Sequence, residues 1–190
     1  MIKIIKFYLI TLILINLDQI LKIYVKTNLE LGQSKSIKIF KWLKFVFIEN
    51  PGIGYGYNFK YGDIEKIIIS IIRTILIVIF FIYFYRNRKN IIYNYLKISI
   101  CLLFAGSISN LLDCFFYGVI FNQGNNTWTG YEGISKFILY KKKGYSFGCV
   151  VDMLYFTIFN VIFNIADTCI SIGVFFIFIA PQAGFEPATP

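Results

Sequence analysis

The sequence predicts an all-α membrane protein, a bundle of four transmembrane helices with a small β element in its loops. Hydrophobic residues make up 57% of the 190-residue chain and charged residues only 15%, with a mean hydropathy of +0.67. A soluble domain carries about 25% charged residues, so the chain is too poor in charge to cover a water-facing surface. The apolar residues are also gathered into four long runs rather than spread along the chain. The formal charge of +9 sits mostly between those runs, as loop lysines facing lipid headgroups do. Membrane lipids are therefore expected partners and nucleic acid is not.

A helix needs about 20 mostly apolar residues to cross a bilayer. The first run, about Ile4 to Val25, opens with a basic segment and a short apolar core, as a secretory leader does. No small-x-small cleavage site follows, and the chain continues Asn16-Leu17-Asp18-Gln19-Ile20-Leu21-Lys22, so a retained helix is predicted. Loop one, residues 26 to 66, alternates apolar and polar residues around Ile37 to Ile48 and breaks at Pro51-Gly52-Ile53-Gly54. That pattern predicts an amphipathic strand or hairpin at the interface.

The second helix is expected from Ile67 to Tyr85 and the third from about Leu96 to Val119. Loop three contains a polar stretch, Asn122 to Gly133, and a basic one, Lys141-Lys142-Lys143-Gly144, the composition of an exposed insertion. The fourth helix is expected over about Val161 to Ala180, closing a single domain of residues 1–180, and Pro181 to Pro190 reads as a disordered tail. Four crossings put both termini on one side. Arg86, Arg88 and Lys89 in the short connection, with Lys3 and Lys6, favour the cytoplasm, although loops one and three hold more lysines in total.

The chain contains no His, which removes Ser-His-Asp and Cys-His catalysis and His-ligated zinc. No metal and no cofactor is expected. Cys101, Cys114, Cys149 and Cys169 have no paired spacing and mostly apolar neighbours, so a small hydrophobic role is predicted over a redox one. The acidic residues are more informative. Asp18, Asp113, Asp152 and Asp167 lie within or against apolar runs, where an ionisable group costs at least about 2.5 kcal/mol and is a functional hypothesis by default.

Asn110 and Asn164 each precede an Asp by three residues, which predicts amide and carboxylate on one helical face, the amide donating to its own Asp. With helices three and four antiparallel, Asp113 and Asp167 fall toward the same membrane face. Asp152 joins them where loop three re-enters apolar chain, a loop-to-helix junction that water reaches more easily than Asp113. Converging carboxylates without His leave two chemistries open: aspartic proteolysis, and ion or proton handling as in a small coupled transporter.

The order Asp18-Gln19-x-x-Lys22, Asn50-x-Gly52, Gly106-x-x-x-Asn110-x-x-Asp113, Val150-Val151-Asp152-Met153 and Phe163-Asn164-x-Ala166-Asp167 resembles the lipoprotein signal peptidase (signal peptidase II) family over about residues 4–179. The resemblance implies an intramembrane aspartic endopeptidase of the bacterial inner membrane. It implies cytoplasmic termini, an active site near the outer leaflet, and a periplasmic β cradle from the first and third loops. The implied substrates are diacylglyceryl-modified prolipoproteins, cut just before the lipidated Cys. By block matching, Asp152 and Asp167 are the catalytic pair, where spacing alone would pair Asp113 with Asp167. Asp18, Lys22, Asn50, Asn110, Asp113 and Asn164 match supporting polar positions. Cys114 stands where the family usually carries Arg, so a partner for the carboxylates has to come from elsewhere or is missing.

Overall fold

The computed structural model describes residues 2–32, 34–36, 40–50, 63–87, 94–121, 134, 136–137 and 148–179. Helix α1, Ile2–Asn28, is followed by strands β1, Ser34–Ser36, and β2, Leu43–Asn50. Helices α2, Asp63–Asn87, and α3, Asn94–Leu112, come next. The third span continues through a π-helical turn, Asp113–Tyr117, into a last short turn α4, Gly118–Ile120. Strands β3, Val150–Phe156, and β4, Val161–Phe163, then lead into helix α5, Ile165–Ile179. The basic part of loop three, residues 122–133, residues 51–54, Arg88, Lys89 and residues 181–190 lie outside the described residues.

Among the described residues, three helices are long and apolar enough to cross a membrane: Lys6–Asn28, Ile67–Arg86 and Tyr95–Ile120. The fourth run differs from expectation. Val161–Phe163 is strand rather than helix, and the helix begins at Ile165, leaving 15 helical residues, or about 22 Å of rise. The reason is local: β-branched Val161 and Ile162 pair with Phe156 and Tyr155 of β3, and the chain reverses through a turn with Asn160 at φ 54°.

The four strands form one antiparallel sheet in the order β1-β2-β3-β4. Loop one does supply a hairpin, but β2 starts at Leu43, later than the alternation at Ile37 suggested, because residues 40–42 lie in its turn. Asp152 also needs correction. It does not stand at a loop-to-helix junction; it lies within β3, paired with Ile48 and only 4% exposed, against 0% for Asp113.

Helix α1 buries Asp18, Lys22, Val25, Lys26 and Leu29, one stripe of a 3.6-residue repeat, while Leu9, Leu12, Ile13 and Ile20 face outward. Below the sheet, Val25, Leu29, Phe47, Tyr117, Phe121, Val151 and Met153 form a shared apolar core. Helices α3 and α5 approach closely because each offers a glycine: a Cβ on Gly106 would collide with the Ala166 carbonyl, and one on Gly173 would sit 2.9 Å from Leu103 Cγ. In lipid, where apolar burial gives no driving force, such close contact is what holds helices together. Ser99 adds a hydrogen bond of 2.6 Å to the Gly173 carbonyl.

Candidate active site

The site grows from the start of α5. Asn164 stands just before the helix, and its Oδ1 accepts from the Asp167 main-chain N–H at 2.7 Å. Asp167 Oδ2 accepts in return from the Asn164 N–H at 3.3 Å. This reciprocal cap satisfies two of the donors every helix start leaves open, and it places an acid in the first turn, where the helix dipole favours negative charge. A third donor, the Ala166 N–H, reaches across to Asp18 Oδ1 of α1 at 3.0 Å.

With its oxygen held by the main chain, the Asn164 amide turns its NH₂ toward Asp152 Oδ1, 2.7 Å away. Asp152 Oδ2 accepts from Asn50 Nδ2 at 3.1 Å. The sheet register makes that contact, since Asp152 pairs with Ile48 and side chains two residues apart on a strand share a face. Burial pushes the Asp152 carboxyl up to about 7 and the neighbouring charge of Asp167 adds to it, while the Asn50 and Asn164 donors and Lys22 pull the other way. Asp167, unlike Asp152, is half-buried.

A second cluster lies deeper. The Lys22 ammonium donates to Asp18 Oδ2, Asp113 Oδ2 and Asn110 Oδ1, each at 2.7 Å, and all three residues are buried. Asp18 Oδ2 also accepts from Ser109 Oγ at 2.6 Å. Asp113 accepts from Gln19 Nε2 at 2.7 Å and from the Val151 N–H at 3.2 Å. Gln19 is held in turn by the Tyr117 hydroxyl, which donates to its Oε1 at 3.0 Å. Asn110 joins the two clusters: its Nδ2 donates to Asp167 Oδ1 at 3.0 Å.

The repeated Asn-x-x-Asp spacing therefore has two meanings, and neither is the expected one. Asn164 is a helix cap whose amide serves Asp152, and Asn110 sends its amide to Asp167 rather than to Asp113. Asp113 opens a π-helical turn, and its oxygens are taken by α1 and β3. All eight residues named from the sequence, Asp18, Lys22, Asn50, Asn110, Asp113, Asp152, Asn164 and Asp167, nonetheless belong to one connected network.

Residues 10–181 match the family described as signal peptidase (SPase) II. The chain belongs to that family. The lipoprotein signal peptidase of Porphyromonas gingivalis is 33% identical over 190 residues, covering 87% of this chain and 77% of that one. The lipoprotein signal peptidase of Amoebophilus asiaticus is 27% identical over 204 residues, covering 97% and 80%. Among solved structures, a bacterial membrane enzyme determined by the in meso method at 2.3 Å resolution aligns with a TM-score of 0.64 and 27% identity, covering 97% of this chain and 93% of that one. A second, at 1.9 Å, aligns at 0.66 and 26%, covering 94% of each. The chain is thus a bacterial integral membrane peptidase.

Several parts of this candidate site in the signal peptidase II chain escape a reading that follows the acids. Lys26 continues the four-residue spacing of Asp18 and Lys22, the signal that assigns it to the same helical face. It is buried against Glu49 of β2, with its ammonium 5.2 Å and 5.1 Å from the Phe47 and Phe121 ring centres, and so ties α1 to the sheet. Arg73 is the one charged residue of the second apolar run, and its Nη1 donates to Cys114 Sγ at 3.6 Å. The cation on the buried carboxylates is Lys22, and a guanidinium reaches position 114 from α2. Cys114 and Cys169 are buried, and Cys101 and Cys149 half-buried.

Proposed function

We propose that this chain is an aspartic endopeptidase that removes the signal peptide from diacylglyceryl-modified prolipoproteins, cutting just before the lipidated Cys, with Asp152 and Asp167 as the catalytic pair. The observation that carries this reading is Asn164, which donates to Asp152 through its side chain and to Asp167 through its main chain. One residue thereby holds two carboxylates together where the sheet meets α5. Asp113 is a poorer partner for Asp167, because an ammonium, an amide and a main-chain N–H already occupy it.

Two neighbouring carboxyls do not both ionise readily, so the pair shares one proton. Asp152, the more buried, retains it, and half-buried Asp167 is the base. Asp167 takes a proton from water as the water oxygen attacks the scissile carbonyl carbon, while Asp152 gives its proton to the carbonyl oxygen. Collapse of the resulting diol sends a proton to the leaving amide nitrogen, breaks the C–N bond and restores the pair. Asp18, Lys22, Asn50, Asn110, Asp113 and Asn164 position these two groups.

The bundle has four crossings in this reading, α5 being the shortest, with both termini cytoplasmic and the sheet a periplasmic cradle by the outer leaflet. Supporting it, the sheet gathers at the ends of α1 and α3 and the start of α5, whereas Arg86 closes α2 about 20 Å beyond Arg73, at its other end. A scissile bond anchored by a diacylglyceryl group lies just below the headgroups, within reach of acids at that boundary.

The test is cleavage of a diacylglyceryl-modified prolipoprotein peptide by the protein in lipid. The expected result is cleavage by the wild type and a loss of about 10³-fold or more in both Asp152→Asn and Asp167→Asn. Unchanged cleavage by either folded variant refutes the assignment.

A further inference from the structure

The three amides that donate to the two carboxylates are not held in the same way. An Asn amide presents oxygen on one side and NH₂ on the other, and what it meets on each side fixes which way it faces. The Asn164 oxygen is fixed by a main-chain N–H, that of Asp167. The Asn110 oxygen is fixed by a side chain, the Lys22 ammonium at 2.7 Å.

An ammonium has three donors and no acceptor. Lys22 places its three contacts on Asp18, Asp113 and Asn110, all at 2.7 Å. Asn110 therefore has to turn its oxygen toward Lys22 and its NH₂ toward Asp167 Oδ1, where it lies at 3.0 Å. Were the amide reversed, its carbonyl oxygen would face a carboxylate oxygen, a contact that is favourable only with a proton between them. Such a proton would disable Asp167 as a base.

We infer that Lys22 is a positioning residue for the reaction: by holding Asn110 Oδ1 it aims the amide N–H at Asp167, so that this carboxylate enters each cycle as an acceptor and thus as the base. The inference rests on the reading of Asp152 and Asp167 as the catalytic pair. It gives the buried cluster a task beyond charge compensation, because Asp18 and Asp113 anchor the ammonium while Asn110 carries its orientation onward. Asp152, from β3, interacts electrostatically with Asp167, and Lys22, from α1, lies one amide away from it. Among the described residues, Lys22 is the cation that contacts the amide reaching Asp167 Oδ1.

The experiment is a double-mutant cycle on cleavage of a diacylglyceryl-modified peptide, with kcat and KM determined separately for the full chain in lipid. Lys22→Gln is expected to lower kcat by about 10- to 100-fold, the range for a hydrogen bond to a charged group, with KM within about twofold. Asn110→Ala is expected to lose a similar factor. The double variant is expected to be no worse than the poorer single one by more than about threefold, since both changes remove the same interaction.

Losses that multiply, or a raised KM with unchanged kcat, overturn the inference. Lys22→Gln/Asp113→Asn preserves the net charge of the buried cluster. If Lys22→Gln alone fails to fold, this variant is compared with Asp113→Asn and judged by the same criteria. Asp167→Asn is measured alongside: full cleavage by that variant overturns the catalytic pair itself, whereas an inactive Asp167→Asn with multiplying Lys22 and Asn110 losses overturns the positioning role alone.

Discussion

Two groups of carboxylates are joined through Asn110 in this membrane peptidase, and they are held by different kinds of donor. Asp18 and Asp113 share the Lys22 ammonium, and all four of their oxygens accept a described donor. Asp152 and Asp167 receive only neutral amide donors, and among the described residues neither forms an ion pair. A buried carboxylate that shares an ammonium is held by charge as well as by hydrogen bonds, which suits a structural brace. A carboxylate held by amides alone is oriented but remains free to exchange a proton, which a general acid or base requires. Under the proposed assignment, the difference teaches that burial of an acid does not by itself mark chemistry and that the charge of its donors is the distinguishing feature.

The sharpest way to break this comparison is to substitute both groups and read activity and stability side by side. Asp167→Asn is expected to lose about 10³-fold or more in cleavage rate while its thermal midpoint stays near that of the wild type, because only neutral donors are disturbed. Asp113→Ala is expected to do the reverse in kind. Removing one carboxylate from a buried cluster held by a charge typically costs about 3–5 kcal/mol, so the protein should lose its folded population before its chemistry can be assayed, as chemical or thermal denaturation in detergent will report. Equal stability losses in the two variants would dissolve the distinction.

A gentler probe is pH. Asp152 has its carboxyl raised from 3.8 to about 7 in the folded chain, so between those values the folded state holds a proton that the unfolded state has released. Stability from this group is complete below about pH 4 and is lost as pH rises through about 7, a change of roughly 2–4 kcal/mol. Thermal midpoints should therefore fall between pH 6 and 8, and that slope should be reduced in Asp152→Asn. Cleavage should decline over the same alkaline range as the acid loses its proton, and a wild-type profile flat from pH 5 to 9 would contradict the roles given to the pair.

The smallest effect is expected from the packing beneath both groups. Gly106→Ala places a methyl against the Ala166 carbonyl and pushes α5 away from α3. It should cost about 1–3 kcal/mol and lower activity through displacement of Asn110 relative to Asp167. Gly32→Ala makes a contrasting control: its φ is 80°, yet no atom lies within 4 Å of an added Cβ, so only backbone strain follows and cleavage by the folded fraction should be unchanged.

Composition and hydropathy alone determined that this chain belongs in a membrane, because too few charged residues leave no means of covering a soluble surface. They also located three of the helices to within a few residues, since a run of apolar residues in lipid has to satisfy its own backbone and becomes helical. The order of polar blocks named eight residues, and the structure joins them in one hydrogen-bonded network. Sequence spacing failed where contacts cross between elements. The segment from Val161 is as apolar as a helix, and only its pairing with β3 makes it a strand. Asn110 and Asn164 look equivalent in the sequence, yet one faces a lysine on another helix and the other caps its own. Local periodicity carries information about which face a residue occupies, but the direction of an amide is set by the donor it meets. Here that donor arrives from 88 residues away, and only the tertiary structure decides it.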